Sequence, residues 1–213
     1  AHAPKGAKVE AVDGINLLSL SAFKNVLSLQ VVYARGDASS LVGSIPAPAD
    51  LLTLTKGGSP RWKETVTTKG EVSTEKKAYV LDRLTVPYSN PYGMNMRIGG
   101  FDFFKDGKSA AVSTWDGDVW LIRNIDDSLQ NLVWKRFASG LHEPLGLKVV
   151  DDVIYTVADD QITRFHDLNG DDEADFYENF NNDWDLTSGF HAFCFDLHTD
   201  AEGAFYFAFG SPV

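Results

Sequence analysis

Acidic and amide side chains crowd around Gly170 in the stretch DLNGDDEAD, residues 167–175. Oxygen-bearing side chains recur at positions 1, 3, 5 and 9 of this stretch, and the backbone carbonyl at position 7 adds a further oxygen. Calcium takes about six to eight oxygen ligands, which alternate residues of a tight loop can supply. We therefore interpret the loop as a calcium site with the ligands Asp167, Asn169, Asp171, Glu173 and Asp175.

The alternative for this loop is a solvated acidic β-turn, because the pattern is not a full EF-hand. Position 6 is Asp172 where an EF-hand has Gly, and position 12 is Glu178, which falls in a predicted strand. Calcium is preferred over zinc because no Cys or paired His joins the cluster.

Composition limits the classes of protein to which the chain can belong. A chain of 213 residues with 44% hydrophobic residues can form one sizeable core and a small extra lobe. Its net charge of -11, without a basic cluster, argues against binding to nucleic acid or to an anionic membrane surface. The most apolar stretch, residues 15–34, is too polar for a membrane span. With one cysteine, Cys194, the chain cannot form an internal disulfide.

A pattern of short strands and acidic turns repeats from Gly99 onward. Equivalent turn positions at Gly107, Asp152 and Gly203 are separated by 45 and 51 residues. Further turns are predicted at Asp116-Gly117 and Asp159-Asp160, and fourth strands in LVWKRFASGL and ADFYENF. Strands rich in aromatic and β-branched residues at this period are typical of β-propeller blades, which have four strands each.

The predicted fold is therefore all-β, an incomplete β-propeller with an irregular N-terminal segment; a solenoid or a sandwich is the alternative. About two and a half blades are present, whereas propellers close with about four to eight, so we expect the chain to be a fragment that stops inside a blade. We predict an N-terminal segment at 1–47, an extended lead-in at 48–95 and blades at 96–213. Two alternating runs near the N-terminus, LLSLSAF and LSLQVVYA, are candidate strands, and the second also fits a helix.

Several motifs together resemble the PVC-type secreted bacterial propeller proteins, which are often fused to a c-type haem domain. They are GGFDFFKDG, STWDGDVW, ASGLHEPLGLKVVDD, DQITRFHDLNGDDEADFYENF and ADLLTLTKGG followed by RW, and the resemblance covers residues 48–213. Those proteins are similar in turn to the soluble quinoprotein glucose and sorbosone dehydrogenases, six-bladed propellers that depend on calcium and pyrroloquinoline quinone. The chain lacks the haem-attachment motif C-x-x-C-H.

The resemblance implies a catalytic role for His191. In the quinoprotein sugar dehydrogenases, a histidine just before an innermost strand removes a proton from the substrate hydroxyl, and His191 is similar in placement. Histidine suits this role because its ordinary pKa lies near neutral pH. The alternative is a structural histidine that bonds to a loop. Asp183 and Asp185 lie in the loop before it, where binding residues tend to occur.

Other residues receive structural predictions. His142 and Glu143 precede Pro144, and we expect them to shape the entry into the second blade. Trp115 and Trp120 flank an Asp-Gly turn, and we expect them to pack between neighbouring blades, with sugar stacking as a secondary role for Trp115.

By resemblance, the whole protein is expected to be a secreted or periplasmic dehydrogenase acting on a sugar or another alcohol, with calcium and pyrroloquinoline quinone as cofactors and a c-type haem domain as electron acceptor. The fragment itself is expected to be inactive. The alternative is a non-catalytic, calcium-stabilised propeller that binds carbohydrate or a partner protein.

Overall fold

Antiparallel β-strands make up most of the chain. The computed structural model describes residues 6–22, 24, 31, 35–36, 41, 46, 50–185 and 191–210. The strands are β1 Ala7–Val12, β2 Ile15–Leu20, β3 Thr65–Thr68, β4 Ile98–Phe103, β5 Ala110–Thr114, β6 Val119–Arg123, β7 Leu132–Ala138, β8 Gly146–Val150, β9 Val153–Val157, β10 Ile162–His166, β11 Phe176–Asn181, β12 Phe193–Thr199 and β13 Phe205–Gly210, and a 3-10 helix spans Leu51–Lys56. Contacts divide the chain into two units, Ala1–Thr53 and Leu54–Val213.

In the first unit, β1 and β2 form a two-stranded hairpin. Asp13 and Gly14 form its turn with φ angles of 51° and 80°, and an Asp-Gly pair favours such left-handed turn positions. Side chains on both faces of the hairpin are exposed. The predicted run LLSLSAF overlaps β2, whereas LSLQVVYA, residues 27–34, lies mostly outside the described residues.

The second unit contains three sheets built from consecutive strands. Their strand orders are β3-β7-β6-β5-β4, then β11-β10-β9-β8, then β12-β13. All five acidic turns predicted from the sequence join consecutive strands, and both fourth strands are present as β7 and β11. Asp151 and Asp152 have φ angles of 52° and 62°, as a two-residue hairpin turn requires. The predicted all-β class is confirmed, and none of the sheets closes within the described part of the chain.

Period-two alternation along the strands gives the first and second sheets two buried faces each. Val119 and Leu121 of β6 belong to a core shared by the first and second sheets, whereas Trp120 and Ile122 belong to a core shared with residues 84–96. A third core joins β9 and β10 to β12 and β13 through Val157, among other residues. Because successive side chains of a strand point to opposite faces, one strand can serve two cores. Trp120 therefore packs against the lead-in segment and not between neighbouring sheets, contrary to the prediction.

The first strand of each repeat lies beside the first strand of the next repeat. A Cβ atom at Gly99 would lie 2.5 Å from the Pro144 carbonyl oxygen, and one at Gly100 would overlap the Leu147 amide. A parallel bridge joins Leu145 to Phe195. We call β4, β8 and β12 the inner strands. Their parallel order places their first residues at one shared end, which we call the leading end.

Replacing Gly146 with Ala tests this close approach. The new Cβ would overlap the Asp196 carbonyl oxygen, a backbone atom that cannot rotate away. We expect the free energy of unfolding to fall by about 1–3 kcal/mol, the usual cost of overpacking, measured by urea denaturation. Gly58→Ala is the matched control, because nothing lies within 4 Å of the place its new Cβ would take and its φ is not left-handed. Equal losses in the two variants would contradict the close packing of β8 and β12.

Candidate functional site

Segments from all three repeats meet at the leading end. The Trp115 amide donates a hydrogen bond to the Arg97 carbonyl at 2.8 Å, and the Leu141 amide donates to the Gly117 carbonyl at 3.1 Å. The Trp115 ring contacts the Phe193 ring edge-on, with centroids 5.3 Å apart. The turns after β5 and β9 thus lie beside the segments that enter the inner strands.

A cluster of three ionisable side chains stands out at this end. Ligand atoms of His142, Glu143 and Asp159 all lie within 4.8 Å of one another, and no other such group of three His, Cys, Asp or Glu residues occurs among the described residues. His142 is exposed, Glu143 is half-buried and Asp159 is only 7% exposed. The structural part predicted for His142 and Glu143 stays a prediction, and the structure adds that their ligand atoms lie close to that of Asp159.

The backbone holds the members of this cluster in place. The Asp159 amide donates to the His142 carbonyl at 3.4 Å, and the Trp184 indole N–H donates to the Asp159 carbonyl at 2.9 Å. Glu143 has a φ of 52°, a conformation that is uncommon for a residue other than glycine. Strain of this kind persists only where the surroundings impose it, and it is concentrated at functional sites.

Burial governs the electrostatics around Asp159. Desolvation raises the pKa of its carboxyl group above the ordinary value, and the nearby carboxylates of Glu143 and Asp160 add to this effect. The Cys194 amide, which donates to Asp159 Oδ1 at 3.1 Å, and the His142 ring act in the opposite direction. Burial also raises the pKa of the Cys194 thiol to about 12, so this thiol is neither a ready nucleophile nor a thiolate ligand.

Arg97, Asp116 and Trp115 form the exposed rim of the leading end. Arg97 pairs with both carboxylate oxygens of Asp116, at 3.0 and 2.5 Å, and its guanidinium lies 5.1 Å from the Trp115 ring centroid. The hydrogen bond from Arg97 lowers the pKa of Asp116. The charge of Arg97 is thus committed to Asp116, while Trp115, 36% exposed, leaves part of its ring accessible.

His191 is an exposed turn residue directly before Ala192 and β12, at the leading end. This is the position that its predicted role as a base requires, and the role itself stays a prediction. Of the preceding loop, residues 186–190 lie outside the described part of the chain. Within the described part, Asp183 accepts a hydrogen bond from the Asn181 amide group at 2.8 Å.

The acidic loop lies between β10 and β11, at the end opposite to the leading end. Asp167 accepts hydrogen bonds from the Gly170 and Asp172 amides at 2.7 and 2.9 Å, and Asp171 accepts one from the Glu173 amide at 3.0 Å. Cations from neighbouring strands already offset its charge. Arg123 pairs with Asp172 at 2.5 Å, and the Lys135 ammonium group donates to the Asp171 carbonyl.

Three residues of this loop hold the lead-in segment. Asn169 donates to the Gly58 carbonyl at 2.6 Å, and Asp175 accepts from the Gly58 amide at 2.8 Å. Buried Glu173 accepts from the Arg61 and Trp62 amides at 2.7 and 3.0 Å and from Arg61 Nε at 2.9 Å. The side-chain oxygens of Asp175 and Glu173 therefore face donors of the lead-in segment. Calcium binding by the loop stays a prediction. The described geometry shows that the loop anchors the lead-in segment, and we call these contacts the anchor.

A cavity of about 250 Å³ lies near the acidic loop, between the first and second sheets. Apolar side chains such as Phe137 and Phe165 line its floor, and Arg123, His166 and Asp172 line its polar part. Arg123 is paired with Asp172, and His166 lies 2.6 Å from Glu178. Each of these three polar groups therefore already has a partner.

Exchanging Glu173 for Gln tests the anchor. Gln keeps the size of the side chain but removes the charge that accepts three hydrogen bonds, so we expect the free energy of unfolding to fall by about 2–3 kcal/mol. Arg61→Gln is the comparison, because it leaves both backbone amides of the anchor in place and removes an ion pair whose arginine is mostly exposed. Its loss is expected to stay below about 1 kcal/mol. Urea denaturation measures both, and an equal or larger loss in Arg61→Gln would contradict the anchor.

Comparison of the chain with models of known protein families, with curated proteins and with solved structures found no match. Among the described residues, no helix is both long and apolar enough to cross a membrane.

Proposed function

We propose that the second unit is a β-propeller-type domain whose leading end binds a small polyhydroxylated ligand, a sugar or another polyol. One observation carries this proposal: an accessible tryptophan and several charged side chains gather where the three inner strands begin. Trp115 offers an apolar ring face, while Glu143, Asp116 and His191 offer donors and acceptors for hydroxyl groups. Apolar surface with a few convergent polar groups is the usual make-up of a small-molecule site.

The arrangement of the sheets supports a propeller. Each repeat contributes an antiparallel meander that packs face to face on the next one, and the inner strands follow one another in chain order. Asp102 of β4 reaches β8, where its carboxylate accepts a hydrogen bond from the Val149 amide at 2.9 Å. Consecutive blades around a common axis have this neighbour relation. In such a domain, the leading end would lie at one opening of the central channel.

The described residues of the leading end do not fit pyrroloquinoline quinone. This cofactor carries three carboxylate groups, so its site requires cationic partners. At the leading end, Arg97 is committed to Asp116, and the carboxylates of Glu143, Asp159 and Asp160 would repel an anionic ligand. These carboxylates would not repel a neutral sugar. We therefore favour the non-catalytic binding function over quinone-dependent oxidation.

Three expectations from the resemblance stay predictions. They are a secreted or periplasmic location, a c-type haem domain as electron acceptor and a catalytic His191. His191 lies at the proposed ligand site in either case. In a binding module, its ring would hydrogen-bond to a ligand hydroxyl instead of removing its proton.

Titration calorimetry of the full chain with a panel of neutral mono- and oligosaccharides tests the binding function. Trp115→Ala is expected to weaken binding about tenfold, or about 1.4 kcal/mol, through the loss of ring contact with the sugar. Tyr79→Ala is the control, because Tyr79 is an aromatic residue that is 92% exposed and lies in the lead-in segment. No binding by any member of the panel, or equal weakening in both variants, would refute the proposal.

A second measurement separates binding from oxidation. The same chain is supplied with pyrroloquinoline quinone, calcium and each sugar, and dye reduction is followed. We expect no sugar-dependent reduction, since the described residues of the leading end offer the quinone no uncommitted arginine. Sugar-dependent reduction that disappears in His191→Ala would establish the dehydrogenase function instead.

A further inference from the structure

The cluster of His142, Glu143 and Asp159 has the donor set of a metal centre. It combines one imidazole nitrogen with two carboxylates, and the three ligand atoms lie within 4.8 Å of one another. Two ligands at about 2.1 Å from the same ion are roughly 3.0–4.2 Å apart. A small inward movement of side chains, one of which is exposed, is enough to close the site around an ion.

We propose that His142, Glu143 and Asp159 together bind one divalent transition-metal ion, such as Zn²⁺ or Mn²⁺. This inference deepens the proposed function. It rests on the proposed sugar binding only for the identity of the ligand that would complete the coordination shell. Three protein ligands leave at least one open position on such an ion, and hydroxyl oxygens of a polyol can fill open positions beside Trp115.

Charge and burial favour a cation at this place. The Asp159 side chain is almost fully buried, and Glu143 and Asp160 add negative charge beside it. Buried carboxylates are stabilised by pairing or by a metal. At this end, Arg97 has its charge committed to Asp116 at 2.5 Å. A divalent ion would supply positive charge directly beside the two carboxylates.

The ligands are also held in advance of binding. The Cys194 amide fixes one Asp159 oxygen at 3.1 Å, and the Asp159 amide bonds to the carbonyl of His142 at 3.4 Å. Glu143 has a left-handed backbone conformation just before buried Pro144. This conformation sets the direction of the Glu143 side chain, which is the second ligand. Contacts outside the ligands that fix their orientation are a regular part of metal centres.

The donor set selects the class of ion. Imidazole nitrogen suits zinc and carboxylate oxygen suits manganese, so the mixed set accommodates either ion, whereas calcium is bound by oxygen ligands. The cluster and the acidic loop are therefore distinguishable by metal preference. Binding of Zn²⁺ or Mn²⁺ is assigned to the leading end, and any calcium binding would belong to the acidic loop at the opposite end.

The test uses the full chain, stripped of metal with chelator and without sugar. Calorimetry with Zn²⁺, Mn²⁺ or Ca²⁺ alone, followed by elemental analysis after gel filtration, is expected to give one equivalent of Zn²⁺ or Mn²⁺. His142→Ala and Glu143→Gln are each expected to weaken this binding at least tenfold. His198→Ala is the matched control, because His198 is an exposed histidine paired with Asp196 at 2.8 Å and lies outside the cluster.

Each remaining outcome is decisive. Binding that is lost in Asp167→Asn but kept in His142→Ala would move the ion to the acidic loop and overturn the proposal. Binding that is unchanged in every variant would identify an adventitious ion only. Because the His142 side chain is exposed, its removal should leave the melting temperature of the metal-free protein unchanged, which separates ligand loss from unfolding. The Trp115→Ala variant should keep its metal binding while its sugar binding weakens. Failure of the metal proposal can therefore be distinguished from failure of the sugar proposal.

Discussion

Backbone contact between the inner strands is the constraint on which the rest of the second unit depends. At Gly99, Gly100 and Gly146, a side chain of any size would overlap the backbone of the neighbouring repeat. Because these glycines let β4, β8 and β12 lie directly side by side, the sheets behind them are brought face to face and can share cores. The same contact aligns the first residues of the three strands, which creates the leading end.

The strands and turns of the second unit were predictable from the sequence, because both signals are local. Alternation of apolar side chains marks β5 to β10, and the pairs Asp116-Gly117 and Asp151-Asp152 provide left-handed turn positions at Gly117 and at both aspartates. The pairing of β3 with β7 and the anchor of Glu173 on Arg61 were not predictable, since each joins residues that are distant in sequence. No local pattern specifies such a contact.

The candidate site was only partly predictable for the same reason. His191 was proposed from the resemblance, and its role stays a prediction. The group of His142, Glu143 and Asp159 was not predicted, because it forms only when one hairpin brings the turn after β9 back to the entry of β8. For the acidic loop, the sequence identified the residues but not their partners. Its spacing indicates a metal site, yet three of its residues bind the lead-in segment, and Arg123 and Lys135 offset its charge. Residue types at the right spacing do not reveal which partners they have.

Separation of the three apolar cores from the leading end has a consequence for evolutionary change. Within the described part of the chain, none of the charged residues at this end belongs to a core cluster, whereas most core residues are apolar side chains of the strands. Substitutions at His142, Glu143 or Trp115 are therefore expected to change the chemistry of this exposed end at little cost to folding. A gene encoding this domain could alter the surface by point substitution in three short connections, whereas substitution of Gly99, Gly100 or Gly146 would disturb the contact between neighbouring repeats.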